Sequence, residues 1–245
     1  MIPTMNPTTR FGSRAQAYAA FRPSYPRDAI DAALEGLGEP ASLTIADVGA
    51  GTGISSRLFA ERGVRVIAVE PNARMREEAA PDPRLRWQAG TAEQTGIGDQ
   101  SVDAVTACQA FHWFANDAAM HEFKRIARRR AAVLQYERDE NDAFTKAYGD
   151  VVRAYATDDT EALRRRALDV FERFPDAVVT RRSFAHVQRL DREAMLGRAA
   201  SSSYLPASGP AGEALRRDLG ALFDRFAREG TVGLAMVTFV RVADW

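Results

Sequence analysis

The 245-residue sequence, 46% of it hydrophobic, is long enough to bury one good core and does not require two domains. Its 33 basic and 33 acidic side chains give a formal net charge of zero, which argues against a nucleic-acid partner. The single cysteine excludes an intrachain disulfide, and no apolar stretch approaches the ~18 residues that span a bilayer. We therefore expect a cytoplasmic protein with no membrane partner, as a monomer or homodimer, and the scattered histidines predict no metal site.

The N-terminal part of the sequence carries two helical patterns. Within residues 1–28, Phe11, Ala15, Tyr18 and Phe21 recur at helical spacing before two prolines end the pattern. The simplest interpretation is a segment that packs over the edge of a sheet. A second helical pattern follows and leads into the first predicted strand.

A turn built on three glycines follows that strand, which we expect at residues 45–48. Gly49 permits a tight strand-to-helix turn, while Gly51 and Gly53 carry no Cβ, so a ligand can lie against bare backbone N–H groups. A dinucleotide-binding turn of the form G-x-G-x-x-G would need a glycine where this sequence has Ile54. The spacing therefore disfavours an NAD-dependent oxidoreductase.

An acidic residue, Glu70, stands at the end of the second predicted strand, residues 64–69. Its carboxylate can accept hydrogen bonds from both hydroxyls of a ribose, and a bond to a charged group is worth roughly 1.5–3 kcal/mol. The alternative, a glycine turn that serves only helix–sheet packing, would leave Glu70 unexplained.

Together, Asp47, the G-x-G-x-G turn and Glu70 resemble the class I S-adenosylmethionine (SAM)-dependent methyltransferases, whose first motif reads acid-x-G-x-G-x-G and whose second strand ends in an acid. The resemblance implies SAM as cofactor and S-adenosylhomocysteine as product. It places the methionine part over residues 49–53 and the ribose on Glu70. It also implies that neighbouring residues contact the cofactor: Asp47, Ala50, Pro71 and Met75.

A short loop follows the third predicted strand, Leu85–Gln88. The family that this sequence resembles places a small residue and an acid against the adenine at this point. Here these residues are Ala92, whose backbone N–H could read the adenine edge, and Glu93, whose carboxylate could do the same. The alternative is a loop whose acid is merely solvated.

A dense aromatic segment follows the fourth predicted strand, residues 101–108. Ligands of open α/β sheets bind beyond the carboxyl ends of the strands, so this segment is expected over the site. Its sequence resembles the Q-A-x-H-W-F segment of a methyltransferase subgroup that includes trans-aconitate methyltransferase, which implies that Gln109 contacts the cofactor and Trp113 the substrate. His112 is a candidate general base or a hydrogen-bonding wall of the substrate pocket, and a histidine that only fixes the loop is equally consistent.

Two helices that the minimal fold does not need follow the fifth predicted strand, residues 131–137. In the resembled family an insertion here caps the substrate, so residues 142–174 are expected to form a helical cap. The same resemblance implies an N-terminal lid over residues 1–28, with Tyr18 and Arg22 near the site, whereas packing alone is the alternative. The arginine clusters at 128–130 and 164–166 fall in predicted helices and are interpreted as solvated faces or helix C-terminal charges.

The C-terminal third predicts a sixth strand at residues 178–190, a capped helix, a longer helix and a last strand at residues 232–242. Within a serine-rich stretch after the first of these helices, Arg198 and Tyr204 could hold a carboxylate or another polar substrate. A polar helix terminus without a ligand is the alternative.

The sequence thus predicts one α/β domain over residues 1–245, with a Rossmann-like, seven-stranded, mostly parallel sheet flanked by helices. The resemblance implies a SAM-dependent methyltransferase that acts on a small-molecule acceptor, with a carboxylate as one candidate. A protein that binds SAM or S-adenosylhomocysteine without turnover is the alternative, although the acceptor pocket expected at residues 109–114 argues against it. The neutral charge disfavours a nucleic-acid methyltransferase.

Overall fold

The computed structural model describes residues 21–245, so Tyr18 and most of the predicted lid lie outside the described residues. Within that range the chain forms one seven-stranded sheet. The strands are β1 (Thr44–Val48), β2 (Arg65–Val69), β3 (Leu85–Gln88), β4 (Val102–Cys108), β5 (Ala127–Arg138), β6 (Val178–Leu190) and β7 (Val232–Asp244).

The sheet runs in the order β3-β2-β1-β4-β5-β7-β6. β1 pairs in parallel with β2 and with β4, and β7 lies antiparallel between β5 and β6. The predicted mostly parallel sheet is therefore confirmed. Since β1 and its parallel neighbours end at the same edge, the residues that follow them meet there.

Successive residues of a strand point to opposite faces of the sheet, so a strand that is apolar throughout gives the sheet two apolar faces. Helices cover both of these faces. In β1, Ile45 packs with one core cluster, while Ala46 and Val48 pack with the other. The helices are α1 (Arg27–Leu34), α2 (Ile54–Glu61), α3 (Ala73–Glu77), α4 (Asp117–Ile126), α5 (Ala143–Tyr155), α6 (Thr160–Phe171), α7 (Arg192–Ala200) and α8 (Gly209–Phe226). Nowhere in residues 21–245 is there a helix both long and apolar enough to cross a membrane.

The prediction that residues 128–130 lie in a helix was wrong, because these arginines belong to β5, although Arg128 and Arg129 are exposed to solvent as expected. Arg130 is buried and its guanidinium bonds both carboxylate oxygens of Asp244, at 2.6 and 2.9 Å. It also donates to the carbonyl oxygens of Ala33 and Glu35 at the end of α1. A run of arginines can therefore continue a strand where a partner carboxylate and free helix carbonyls satisfy the buried charge.

Candidate active site

An open cavity of about 1030 Å³ lies beyond the carboxyl ends of β1, β2 and β4, and we call it the main cavity. It brings together residues that are far apart in the sequence. The residues predicted to contact the cofactor that line it are Gly49, Gly51, Glu70, Pro71, Met75, Ala92, Glu93 and Gln109. The residues predicted to contact the substrate that line it are Arg22, His112 and Trp113.

The glycine turn brings its backbone close to the neighbouring strand and loop. Gly49 adopts a φ of 72°, in the left-handed region that favours glycine. A Cβ on Gly49 would lie only 2.6 Å from Cβ of Ala110, so the turn and the segment after β4 can approach only because the side chain is absent. Gly53 serves packing in the same way, because its Cβ would meet the Trp87 ring at 3.0 Å.

The N–H groups of Gly51 and Gly53, which were expected to be bare, are hydrogen-bonded within the structure. The N–H groups of Gly49 and Ala50 both donate to the carbonyl oxygen of Val69, and that of Gly53 donates to the carbonyl oxygen of Ala50. The N–H of Gly51 donates to Oε2 of Glu70 at 3.0 Å. The turn closes on β2 through these bonds, so the glycines allow close approach rather than supplying unused donors.

Glu70 is 8% exposed and sits at the rim where β2 ends. Besides the Gly51 bond, its Oε1 accepts a hydrogen bond from the backbone N–H of Asn72 at 2.9 Å. Burial raises the pKa of this carboxyl above its ordinary value of 4.5, although the N–H groups of Asn72 and Gly51 oppose that shift. A carboxylate oxygen can accept more than one hydrogen bond, so Glu70 keeps capacity for hydroxyl donors in the cavity.

Asp47 does not line the main cavity but lies fully buried in β1, directly before the turn. Its Oδ2 accepts hydrogen bonds from the hydroxyls of Ser55 and Ser56 at 2.7 and 2.6 Å, and its Oδ1 accepts one from Thr106 at 3.0 Å. Burial raises the pKa of Asp47, and the three hydroxyls oppose that shift. Asp47 therefore ties β1, α2 and β4 together behind the turn. Ala50 lines a separate narrow crevice instead of the main cavity.

Gln109 joins the end of β4 to β5. Its backbone has a φ of 52°, which is uncommon for a residue with a side chain. Its Oε1 accepts from the Tyr136 N–H at 2.9 Å, and its Nε2 donates to the Tyr136 carbonyl oxygen at 3.2 Å. These two bonds extend the strand pairing through a side chain, and they direct the following residues over the main cavity.

The segment after β4 forms a short 3₁₀ turn, Phe111–Trp113, which presents His112 and Trp113 to the main cavity. The two rings are in contact, with centroids 4.7 Å apart. Phe111 is buried behind them and packs edge-on against Phe171 of α6, with centroids 5.4 Å apart. The position of α6 and the orientation of this turn are therefore coupled through buried aromatic packing.

The loop after β3 contributes a second wall of the main cavity. Ala92 is buried, while Glu93 is exposed and its Oε1 accepts a hydrogen bond from Nδ2 of Asn116 at 2.9 Å. The Oδ1 atom of Asn116 accepts a hydrogen bond from the N–H of Ala119 and thereby caps the N-terminus of α4. Glu93 thus reaches the cavity edge with one oxygen already occupied.

Two predicted substrate residues, Arg198 and Tyr204, line an adjoining cavity and not the main cavity. Conversely, Thr160 and Arg164 of α6 line the main cavity, although neither was singled out within the predicted helical cap. Their spacing of four residues puts both on one face of the helix, which was the available signal. Other lining residues that the sequence analysis did not single out are Asn72, Gly90, Thr91, Ala110, Phe114 and Ser203.

Fold and cavity together define the class of protein. The Rossmann-like sheet carries a glycine turn after β1 and an acid after β2, and one cavity lies at the carboxyl ends of these strands. This is the architecture of an α/β ligand-binding protein. Within residues 21–245, no group of three or more histidine, cysteine, aspartate or glutamate residues is arranged to hold a metal ion.

Comparisons with known proteins reveal a likeness to methyltransferases. Residues 46–134 match the family described as a methyltransferase domain. An uncharacterized methyltransferase of Mycobacterium tuberculosis is 37% identical over 145 residues, which cover 58% of this chain and 58% of that protein. The match therefore spans little more than half the length of this relative.

Solved structures extend the likeness over nearly the whole chain. A protein of Anaeromyxobacter dehalogenans assigned as a type II methyltransferase has a TM-score of 0.65 and 27% identity, with 91% of this chain and 97% of that chain covered. A protein of Anabaena variabilis assigned as a methyltransferase of antibiotic biosynthesis has a TM-score of 0.66 at 21% identity, with 92% and 98% covered, and it supports the fold alone. Residues 46–134 therefore match a methyltransferase domain, and the likeness to these proteins supports a class I SAM-dependent methyltransferase. The narrower resemblance to the trans-aconitate subgroup stays a prediction.

Proposed function

We propose that this protein transfers a methyl group from SAM to a small-molecule acceptor. The observation that carries the proposal is that one cavity is lined both by the residues expected to hold the cofactor, such as Glu70, and by the residues expected to meet the acceptor, such as Trp113. The match to a methyltransferase domain supports SAM as the methyl donor, and when bound, SAM supplies a methyl group on a positively charged sulfonium.

The residues on the β2 side of the main cavity fit an adenosyl group. Glu70 directs a buried carboxylate toward the cavity rim, and a hydrogen bond to such a charged acceptor contributes about 1.5–3 kcal/mol. Gly49 and Gly51 form a wall without side chains, against which a flat ligand can pack. Met75 and Ala92 add buried apolar surface at the same wall. We therefore assign the ribose to Glu70 and the adenine to the loop that carries Ala92.

The residues on the opposite side fit an acceptor. The aromatic residues Trp113 and Phe114 line the main cavity, and π-systems attract methyl-bearing cations. The chain's main task is to orient the acceptor, because correct orientation can supply roughly 7–11 kcal/mol of the barrier reduction. His112 lies in the same wall and would remove the proton from a neutral hydroxyl, amine or carbon acid. A carboxylate acceptor would need no base.

We further propose that α5 and α6 cover the acceptor side of the main cavity. Thr160 and Arg164 of α6 both line this cavity, and Phe171 at the end of the same helix packs on Phe111 beneath His112. A helix held in this way would exclude water from the acceptor. It would also make the helical insertion part of the same domain.

Turnover with labelled methyl groups tests the proposal. SAM carrying a tritiated methyl group is incubated with a panel of organic acids, phenols and amines, and product label and S-adenosylhomocysteine are both measured. We expect label in at least one acceptor class. Calorimetric binding of S-adenosylhomocysteine without transfer to any acceptor would favour the non-catalytic alternative. If well-folded protein gives no binding heat with SAM or S-adenosylhomocysteine, the proposed function is refuted.

A further inference from the structure

A second cavity, rich in arginine, adjoins the main cavity, and we call it the arginine chamber. Two of its arginines, Arg22 and Arg164, line both cavities, so the two spaces meet at these side chains. The chamber wall contains six arginines against three glutamates: Arg22, Arg138, Arg153, Arg164, Arg165 and Arg198, with Glu137, Glu140 and Glu161. Positive charge is therefore in excess around this space.

Two of the glutamates are already bonded to arginines of the chamber wall. Glu140 accepts hydrogen bonds from Arg153 at 2.5 and 3.0 Å, and it forms an ion pair with Arg138. Glu161 forms an ion pair with Arg138 as well. The charges of Arg138 and Arg153 are thus compensated inside the protein.

Arg198 and Arg164 differ from these two arginines. Arg198 is 8% exposed, and its guanidinium donates to neutral atoms, Oε1 of Gln188 at 2.6 Å and the sulfur of Met236 at 3.7 Å. Within residues 21–245 no carboxylate forms an ion pair with Arg198 or Arg164. The buried Nε of Arg164 also has no hydrogen-bond acceptor among these residues. Burying a guanidinium without a counter-charge costs free energy, which an anionic ligand would recover.

The positive charge of these arginines also affects Tyr204, a neutral side chain in the wall of the arginine chamber. Burial alone would raise the pKa of the Tyr204 phenol, yet Arg164, Arg22 and Arg138 together hold that pKa below its ordinary value of 10.0. The guanidinium of Arg164 lies 6.0 Å from the centre of the Tyr204 ring. A negative charge is therefore stabilised in the chamber.

The chain arrangement connects this positive space to the methyl-transfer side. Ser203 lines the main cavity, while its neighbours Ser202 and Tyr204 line the arginine chamber. Because Arg164 lines both cavities, a ligand beside His112 that extends past Arg164 would enter the arginine chamber.

We propose that Arg164 and Arg198 bind an oxyanion of the acceptor, a carboxylate or a phosphate, that is not the group methylated. The acceptor is then an organic acid held at one end in the arginine chamber while its reacting atom lies in the main cavity. This inference rests on the proposed function, since it names the substrate class of that same site.

Calorimetry with simple anions tests the inference. Benzoate, phenyl phosphate and neutral benzyl alcohol are titrated into the protein with and without saturating S-adenosylhomocysteine. We expect at least one anion to bind at least ten-fold more tightly than benzyl alcohol, and the comparison of the two anions distinguishes carboxylate from phosphate. Arg164→Gln should weaken that binding by at least ten-fold. Arg166→Gln, an exposed change on the same helix, should leave it within about two-fold.

The outcomes separate the two proposals. If S-adenosylhomocysteine binds with unchanged affinity in the variants but neither anion binds the wild-type protein, the oxyanion site is refuted and the proposed function stands. Equal weakening by Arg164→Gln and Arg166→Gln would also refute it, since only a general charge effect would remain. Methyl benzoate formed from benzoate and SAM would show that the bound carboxylate is itself the methyl acceptor, which contradicts the inference.

Discussion

Replacement of Glu70 tests the proposed ribose site most directly. In Glu70→Ala the cofactor would lose its bonds to a buried carboxylate, each worth about 1.5–3 kcal/mol. Water that enters the vacated space would recover part of this loss. We therefore expect S-adenosylhomocysteine to bind roughly ten- to a hundred-fold more weakly, which corresponds to about 1.4–2.8 kcal/mol.

The same substitution affects the unliganded protein, because Glu70 also accepts the N–H groups of Gly51 and Asn72. Leaving a buried donor without an acceptor costs about 1–3 kcal/mol, so Glu70→Ala should also lower the free energy of unfolding. Glu70→Gln separates the two effects, since its amide oxygen can still accept one of these bonds. It should retain more stability than the alanine variant and lose less affinity.

Isothermal titration calorimetry with S-adenosylhomocysteine and urea unfolding of each variant provide the measurements. Glu77→Ala, an exposed change on the neighbouring helix α3, is the matched control and should alter neither quantity by more than about two-fold in Kd or ~0.5 kcal/mol in stability. A folded Glu70→Ala protein whose Kd stays within about two-fold of wild type would remove Glu70 from the ribose site.

Three further predictions concern the same cavity. Burial raises the pKa of Glu70 above 4.5, and hydroxyl donors bind its ionised form more strongly. The affinity for S-adenosylhomocysteine should therefore fall as the pH drops through that raised pKa. Glu70→Gln should flatten this pH profile when it is measured by calorimetry. Gly49→Ala should lose more unfolding free energy in urea than Gly209→Ala, since both have left-handed φ at a cost of about 1–2 kcal/mol but only a Cβ at Gly49 meets another atom. With a hydroxyl acceptor, His112→Ala should lower kcat roughly 10²–10⁴-fold at unchanged S-adenosylhomocysteine affinity, and an unchanged kcat would exclude a base role.

The sheet and the residues assigned to the cofactor could be predicted from the sequence because the patterns that indicate them are local. The turn at Gly49 and the acid at Glu70 each follow a short apolar strand, and parallel strands bring such positions to one edge. The seven strands and their mostly parallel arrangement were therefore predictable. The use of the turn's N–H groups was not, because their acceptors, the carbonyl oxygen of Val69 and the carboxylate of Glu70, come from another strand.

Arginine positions were the least predictable part of the site. An arginine on an amphipathic helix has the same local pattern whether it faces water or a cavity, so Arg164 was indistinguishable from its exposed neighbour Arg166. Arg130 was misplaced for a related reason, since the carboxylate that compensates it, Asp244, lies 114 residues away in the chain. Long-range charge pairing leaves no periodic signal in the sequence.

The residues that could be predicted from the sequence are mainly those that we assign to the cofactor, and those that could not are mainly the ones that we assign to the acceptor. The segment shared with the methyltransferase family, residues 46–134, contains every residue that we assign to the cofactor, together with His112 and Trp113. The side chains that would select an acceptor, Arg164 and Arg198, lie on helices after that segment. Because buried ring packing joins α6 to the turn that carries His112, changes in the later helices can alter the acceptor site while the cofactor site keeps its geometry. Differences in acceptor among related proteins should therefore map to α6 and α7 rather than to the glycine turn.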